Sequence, residues 1–267
     1  MTSALVLGGG GVAGIAWEAG IIDGLRRAGT DLGAADLIVG TSAGSVVGTA
    51  VRQDADLELF ITVRAGLPGA RRSPDMNAVA RAFTVLADTS LEPDEARRRA
   101  GRLALDAPTG PEEGWVEGIS AGLPGRDWPP GRLLVTAVNA LTGEFAAWDR
   151  DSGVPLDRAI AASCAVPCIA PPVTVNGARY IDGGVTSSTN ADLARGASSV
   201  TVLDPIASLR PGGRLQAELA ATGAGHVTVI EPDEAAVASF GTDLLSSSAW
   251  LPAYAAGREQ AAKLGKS

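Results

Sequence analysis

Two short apolar runs near the start of the chain each lead into a glycine-rich turn and then into a helical pattern, and this repeated unit restricts the fold most. The first run, ALVLGGGG at 4–11, precedes VAGIAWEAGIIDGLRRAG, whose apolar residues recur at helical spacing up to Gly29. The second run, DLIVG at 36–40, precedes TSAGSVVGTAVRQ, whose small and apolar residues suit a helix packed tightly on a sheet. Strands that alternate with helices in this way predict an α/β fold with a helix-covered sheet.

The rest of the chain adds further helices and antiparallel strands. Charged helical pieces separated by Pro/Gly breaks indicate an inserted helical region at about 55–131. RLLVTAVNALTGEFAAW and APPVTVNGARYIDGGV each predict a β-hairpin, and SVTVLDP and HVTVIEP predict two late strands that stop at a proline. Because no compositional break divides the chain, we predict a single domain over 1–267 with a helical tail at about 235–267.

Composition and charge exclude some classes of function. Apolar residues make up 46% of the chain, enough for a sizeable core, and the net charge of −8 argues against binding nucleic acid or anionic headgroups by electrostatics. Contact with a membrane surface would therefore depend on apolar side chains. No basic residue precedes the first apolar run, so we expect no signal peptide and a cytoplasmic protein, in which Cys164 and Cys168 are reduced thiols.

The pattern Gly-x-Ser-x-Gly, typical of the nucleophile elbow of serine hydrolases, occurs twice. It covers Gly40 to Gly44 around Ser42, and Gly118 to Gly122 around Ser120. An elbow needs a strand before the serine and a helix after it, so that the hydroxyl is exposed on a tight turn. Ser42 has both. The segment LPGRDWPPG follows the second motif, so we predict that Ser120 lies in a loop and that Ser42 is the nucleophile.

The glycine run at 8–11, which with Gly14 also spells G-x-G-x-x-G, has two possible functions. A dinucleotide site would require an acidic residue at the carboxyl end of the second strand, but Asp36 stands at its beginning. The alternative is an oxyanion hole, in which backbone N–H groups at a helix start point at a developing negative charge. Since neighbouring parallel strands end at one edge of a sheet, the glycine loop and Ser42 would meet there.

The sequence leaves open whether a histidine or an aspartate activates Ser42. Ser42, Asp182 or Asp204, and His226, the chain's single histidine, would match the chain order of an α/β-hydrolase triad. His226 directly precedes a strand, however, and a strand-edge histidine without a catalytic role is favoured. Asp182 ends a short strand before Gly183-Gly184, where other groups can approach it closely. An aspartate with an ordinary pKa of about 3.9 is a weak base, so such a dyad would depend heavily on the oxyanion hole.

In order, the motifs GGGGVAG, GTSAG, AASCAVPCIAPPV and YIDGG resemble those of the patatin-like phospholipase family, over about three quarters of the chain. The resemblance implies a three-layer α/β/α fold with a mainly parallel central sheet, and hydrolysis of lipid acyl esters by a Ser-Asp dyad without metal or other cofactor. Carried over by motif position, Ser42 is the nucleophile and Asp182 the base. The oxyanion-hole donors are Gly9, Gly10 and Gly11, and the other motif glycines are Gly14, Gly40, Gly44, Gly183 and Gly184.

The chain departs from the family at Ala13, where an Arg or Lys is usual, so no cation is expected beside the oxyanion hole at this position. Ser163 and Cys164, in the SCAVP segment, are expected to pack against the sheet.

Two other functions remain open: a nucleotide- or NAD-binding protein that uses Gly9, Gly11 and Gly14, and a catalytically silent lipid-binding module. The helical region at 55–131 and the apolar stretch LLSSSAWLPAYAAG are candidates for a lid or an acyl channel. Substrate headgroup, acyl length and oligomeric state are left open.

Overall fold

A computed structural model describes residues 2–67, 74–209 and 213–265. Within these ranges the chain forms an eight-stranded mixed sheet. The first strand lies between the second and the seventh and is parallel to both, the eighth strand extends this parallel part, and the third pairs in parallel with the second. The strands are β1 (Ser3–Leu7), β2 (Leu37–Gly40), β3 (Arg132–Asn139), β4 (Phe145–Trp148), β5 (Val173–Val175), β6 (Ala178–Asp182), β7 (Ser199–Leu203) and β8 (His226–Ile230).

Helices cover both faces of the sheet, as the alternation of side chains along β1 shows. Leu5 and Leu7 pack into a large core with the first two helices and the last one, whereas Ala4 and Val6 pack into a second core on the opposite face. This is the predicted three-layer α/β/α architecture. The helices are α1 (Gly11–Arg27), α2 (Ala43–Arg52), α3 (Leu57–Gly66), α4 (Met76–Leu86), α5 (Pro93–Asp106), α6 (Glu112–Ala121), α7 (Leu156–Ser163), α8 (Arg214–Thr222), α9 (Glu234–Phe240) and α10 (Trp250–Leu264).

The predicted hairpins are confirmed. β3 pairs antiparallel with β4, and β5 pairs antiparallel with β6 through Asn176-Gly177, whose φ values of 47° and 81° are those of a tight hairpin turn. The described parts of 55–131 contain α3 to α6, and the tail contains α9 and α10. Residues 68–73 of the inserted region and 266–267 of the tail lie outside the described residues. A lid function for the inserted helices stays a prediction.

The first turn of α2 lies directly against the end of β1. The N–H of Gly44 donates to the carbonyl of Gly8 at 2.9 Å, and a Cβ atom on Gly44 would lie only 2.0 Å from the carbonyl oxygen of Leu7. A side chain at this position would therefore force helix and strand apart. Gly118, in the second Gly-x-Ser-x-Gly motif, is exposed on α6, and nothing lies within 4 Å of the position of its Cβ.

These two glycines form a matched pair for a stability test. We expect Gly44→Ala to lower the free energy of unfolding by about 3 kcal/mol or more, because the new methyl group overlaps backbone atoms. Gly118→Ala should leave it unchanged or raise it by up to about 1 kcal/mol, since alanine favours a helix. Urea denaturation followed by circular dichroism measures both. Equal stability of the two variants would contradict the close contact at Gly44.

Candidate active site

Ser42 lies at the junction of β2 and α2 and has an unusual backbone conformation. Its φ of 52° and ψ of −115° are rare for a residue with a side chain, and they turn the chain sharply from the strand into the helix. Strained conformations of this kind concentrate at functional sites, where the surrounding structure holds them in place. The predicted order of strand, serine and helix is confirmed.

Three side chains hold the backbone of Ser42. Its N–H donates to Ser163 Oγ at 2.9 Å, and its carbonyl oxygen accepts hydrogen bonds from Ser45 Oγ at 2.7 Å and from Cys164 Sγ at 3.4 Å. Ser163 and Cys164 were expected only to pack against the sheet, and these contacts add a role in holding the elbow. Small polar residues at the end of α7 are the only signal for it in the sequence.

Thr41, the residue before the serine, is fixed by a buried polar cluster. Its Oγ1 accepts hydrogen bonds from Thr136 Oγ1 and from Asn190 Nδ2, both at 2.9 Å. The Asn190 side chain also donates to the carbonyl of Ser187 at 2.7 Å. Buried polar groups that satisfy one another restrain their neighbours, so this cluster adds rigidity to the elbow.

The register of the sheet brings Asp182 to Ser42. On β3, Val135 pairs with Gly40 at the end of β2, and Ala137, two residues further, pairs with Asp182 at the end of β6. The Asp182 carboxyl lies close enough to the Ser42 side chain for that hydroxyl to lower its pKa, and its Oδ1 accepts a hydrogen bond from the N–H of Gly184 at 2.7 Å. The structure therefore brings together the serine and the aspartate that the motifs select.

The environment of Asp182 makes its carboxylate more basic than an ordinary one. The residue is 4% exposed. Burial raises its pKa from 3.8 to about 7, and the nearby Ser42 hydroxyl and the hydrogen bond from the Gly184 N–H oppose this rise only in part. A group with a pKa near the working pH is well matched to proton transfer. The weakness of aspartate as a base, inferred above from its ordinary pKa, does not apply to this buried carboxylate.

The glycine loop adjoins the elbow, but one of its residues cannot act as predicted. A Cβ atom on Gly9 would lie 3.6 Å from Ser42 Cβ, so the loop and the serine meet at one sheet edge. The N–H of Gly9, however, donates to the carbonyl of Ser188 at 2.8 Å. The assignment of Gly9 as an oxyanion-hole donor therefore needs correction, because its N–H is already hydrogen-bonded to Ser188.

Gly10 and Gly11 remain available as donors. Gly10 precedes α1 and Gly11 begins it, and the N–H groups at a helix start have no partner within the helix. Within the described part of the chain, neither group donates a hydrogen bond to another element. The helix dipole adds partial positive charge at this end. Gly10 and Gly11 therefore stay the candidates for the oxyanion hole.

The other motif glycines permit close packing around the site. A Cβ atom would approach a neighbouring atom to between 2.0 and 3.3 Å at every one of these positions. Such distances leave little or no space for a side chain. The neighbours are Ala43 Cβ for Gly14, the carbonyl oxygen of Gly44 for Gly40, that of Leu7 for Gly44, Thr136 Oγ1 for Gly183 and Asp182 Oδ1 for Gly184.

Ser120 lies in a helix, so its prediction as a loop residue is wrong. The helix α6 continues to Ala121, because the first proline of the following segment comes only at 124. The Ser120 hydroxyl is buried and donates to the carbonyl of Val116 one turn earlier, at 2.7 Å. This second motif does not form an elbow.

His226 and Asp36 lie away from Ser42. His226 is exposed at the amino end of β8, and Asp36 precedes β2, where its carboxylate accepts a hydrogen bond from the N–H of Ser3 at 2.7 Å. Ser42 follows the carboxyl end of β2, and β2 and β8 belong to the parallel part of the sheet, so both residues are at the opposite edge. Asp204 directly follows β7 at the carboxyl edge. The arrangement does not assemble a Ser-Asp-His triad.

The model of the patatin-like phospholipase family matches residues 5–195. The chain belongs to this family. The match includes the glycine loop, Ser42 and Asp182 in a patatin-like fold. Solved structures that resemble the chain include VipD from Legionella pneumophila, at 12% identity with a TM-score of 0.39, and the type III effector protein ExoU, at 17% identity with a TM-score of 0.42.

The alignments with these structures cover 82% of the chain and 52% of VipD, and 99% of the chain and 53% of ExoU. The patatin-like chain thus spans about half the length of either protein. No match was found among curated proteins.

Proposed function

We propose that the chain is a lipid acyl hydrolase of the phospholipase A or lysophospholipase type, with Ser42 as nucleophile and Asp182 as base. The observation that carries the proposal is that the sheet register brings the buried Asp182 carboxylate to the strained Ser42 elbow, close enough for the Ser42 hydroxyl to lower the pKa of that carboxyl. The N–H groups of Gly10 and Gly11, at the same sheet edge, supply the third component of an acyl-transfer site.

In the first half of the reaction, Asp182 takes the proton from Ser42 Oγ as this oxygen attacks the ester carbonyl carbon. The negative charge that develops on the carbonyl oxygen is stabilised by the N–H groups of Gly10 and Gly11. The intermediate collapses when Asp182 returns the proton to the leaving alkoxide. In the second half, Asp182 takes a proton from a water molecule that attacks the acyl-enzyme, and it returns this proton to Ser42 Oγ as the fatty acid is released.

A lipid substrate agrees with the apolar surface near the site. A Cβ atom on Gly11 would lie 2.8 Å from Leu245 Cδ2, so the half-exposed Leu245 borders the glycine loop. We propose that a cytoplasmic enzyme reaches membrane lipids by apolar contact around Leu245, since its net charge of −8 opposes attraction to anionic lipids. None of the described helices has the length and apolar character needed to cross a bilayer.

The two other functions are less well supported. For a nucleotide- or NAD-binding protein, an acidic residue at the carboxyl end of β2 would be expected, whereas this position leads into Ser42. Stabilisation by NAD against thermal unfolding, without stabilisation by a lipid analogue, would favour that function. For a silent lipid-binding module, a strained serine elbow beside a buried carboxylate would have no use. Product analysis of the purified protein with glycerophospholipids, lysolipids and neutral glycerides tests the proposal and identifies the preferred headgroup.

The position of His226 leads to a specific expectation for the single histidine. We expect His226→Gln to retain the hydrolysis of a p-nitrophenyl ester within about twofold, because the residue is exposed at the sheet edge opposite Ser42. Initial rates of the purified variant measure this. A loss of a hundredfold or more, with an unchanged circular dichroism spectrum, would instead favour a triad that includes the histidine.

A further inference from the structure

Arg64 is a buried cation without a counter-ion. It lies near the end of α3 and is 6% exposed, and its Nε and Nη1 atoms are buried without a hydrogen-bond partner. In the described part of the chain, no carboxylate forms an ion pair with it. A buried charge is normally paired, because its removal from water is costly. An unpaired guanidinium therefore points to a missing anion.

The groups around Arg64 hold it in place but accept no hydrogen bond from it. Its guanidinium carbon lies 5.3 Å from the centre of the Phe60 ring and 5.7 Å from the centre of the Trp250 ring. A Cβ atom on Gly122 would lie 2.2 Å from Arg64 Nη1, so the guanidinium also packs against the end of α6. Aromatic faces compensate the positive charge only in part. The cation is thus held by packing, with its donors unused.

The charge of Arg64 acts on a thiol that contacts the elbow. The Cys164 thiol, which donates to the Ser42 carbonyl, is close enough to Arg64 for the positive charge to oppose the rise in its pKa. Burial dominates and raises the pKa of this thiol to about 12, so Cys164 is neutral at physiological pH and cannot be the counter-ion. The pKa of Arg64 itself is lowered to about 10 by burial, which leaves it charged. The glycine loop offers no cation, because the first basic residue of the chain is Arg26.

We propose that Arg64 binds the oxyanion of a lipid at the Ser42 site, either the phosphate of a phospholipid substrate or the carboxylate of a released fatty acid. The inference rests on the proposed function, which places a lipid ester at Ser42. A guanidinium matches both groups, since its planar set of donors forms paired hydrogen bonds with phosphate or carboxylate oxygens. The bound anion would also neutralise the buried charge.

Binding to the Ser42→Ala protein tests this site without requiring turnover. Isothermal titration with octyl phosphate, octanoate and octanol compares ligands with one chain length and different heads. We expect at least one anion to bind about tenfold or more tightly than octanol, which corresponds to one well-made charged interaction. A preference for octyl phosphate assigns the site to the phospholipid, and a preference for octanoate assigns it to the product. Inorganic phosphate that binds as tightly as octyl phosphate would contradict a lipid site.

A second substitution in the same background connects the preference to the residue. Ser42→Ala with Arg64→Gln should lose the preference for the anion, whereas Ser42→Ala with Arg126→Gln, the same change at an exposed arginine, should keep it. A preference that survives Arg64→Gln, or equal binding of all ligands by the Ser42→Ala protein, would overturn the proposal. A wild-type protein that hydrolyses no ester would contradict the proposed function, but it would leave this binding result unaffected.

Stability distinguishes a binding site from a structural arginine. An unpaired buried charge predicts that Arg64→Gln has a urea midpoint equal to or above that of the parent, and a clear decrease would indicate a structural role and contradict the site. If the glutamine variant does not fold, Arg64→Lys still tests the proposal. It keeps the charge but not the planar donor set, so the preference for the anion should weaken and persist. An unchanged or absent preference would contradict the assignment.

Discussion

Replacing Ser42 with alanine should lower kcat/KM for a p-nitrophenyl ester by about 10⁴-fold or more, because no acyl-enzyme can then form. The fold should be preserved, since the N–H and carbonyl contacts of Ser42 with Ser163, Ser45 and Cys164 involve only its backbone. Initial rates with and without added enzyme measure the loss.

Ser120→Ala is the matched control for this experiment. Both serines are buried members of a Gly-x-Ser-x-Gly motif, but the Ser120 hydroxyl only donates to the carbonyl of Val116 within α6. We expect the Ser120→Ala protein to retain activity within about twofold. A large loss of activity in Ser120→Ala, together with an active Ser42→Ala protein, would indicate that Ser120 is the nucleophile. This result would contradict the proposed site.

Asp182→Asn should lower kcat/KM by about 10³-fold, because an amide cannot take the proton from Ser42. In the wild-type protein the carboxylate must be ionised to act as base. Since burial raises its pKa to about 7, kcat/KM should fall about tenfold per pH unit below pH 7 and level off above it. Rates measured between pH 5 and pH 9 test this. A flat profile down to pH 5 would contradict a base with a raised pKa.

His226→Gln is the control for the pH profile. Histidine is the other side chain that ordinarily titrates near neutral pH, and this chain has only one. If Asp182 is the base, the variant should show the same decrease below pH 7 as the wild-type protein. Disappearance of that decrease in the variant would assign the titration to His226.

The same raised pKa makes Asp182 a source of instability at high pH. The folded chain holds the proton of this carboxyl more tightly than the unfolded chain does, so the stability it contributes is complete below about pH 4 and is lost as the pH rises through 7. Asp182→Asn removes this loss. We expect it to raise the free energy of unfolding at pH 8 by up to about 4 kcal/mol relative to the wild-type protein, with little gain at pH 4. Urea denaturation at the two pH values measures the difference.

Local patterns in the sequence predict the fold and the proposed Ser-Asp pair because both depend on short segments. A strand, a tight turn and a helix around Ser42 can be recognised from residues close together in the chain. The hairpin that ends at Asp182 follows in the same way from the turn Asn176-Gly177. The sheet edge at which these segments meet follows from the parallel arrangement of the first strands.

The remaining features of the site depend on contacts between distant segments, which a single sequence does not reveal. The hydrogen bond from Gly9 to Ser188, which removes one expected donor, joins residues far apart in the chain. The support of Ser42 by Ser163, the burial that raises the pKa of Asp182 and the isolation of Arg64 have the same origin. Ser120 is different, because the first proline after it is at 124, far enough away for α6 to continue to Ala121.

The reaction of the folded protein with a fluorophosphonate probe tests the central claim most directly. The probe forms a covalent bond only with an activated nucleophilic serine, and peptide mass spectrometry locates it. We predict a single labelled position at Ser42, loss of labelling in Ser42→Ala, strongly slowed labelling in Asp182→Asn and unchanged labelling in Ser120→Ala. Labelling at another serine, or no labelling of a folded sample, would contradict the assignment of Ser42 as an activated nucleophile.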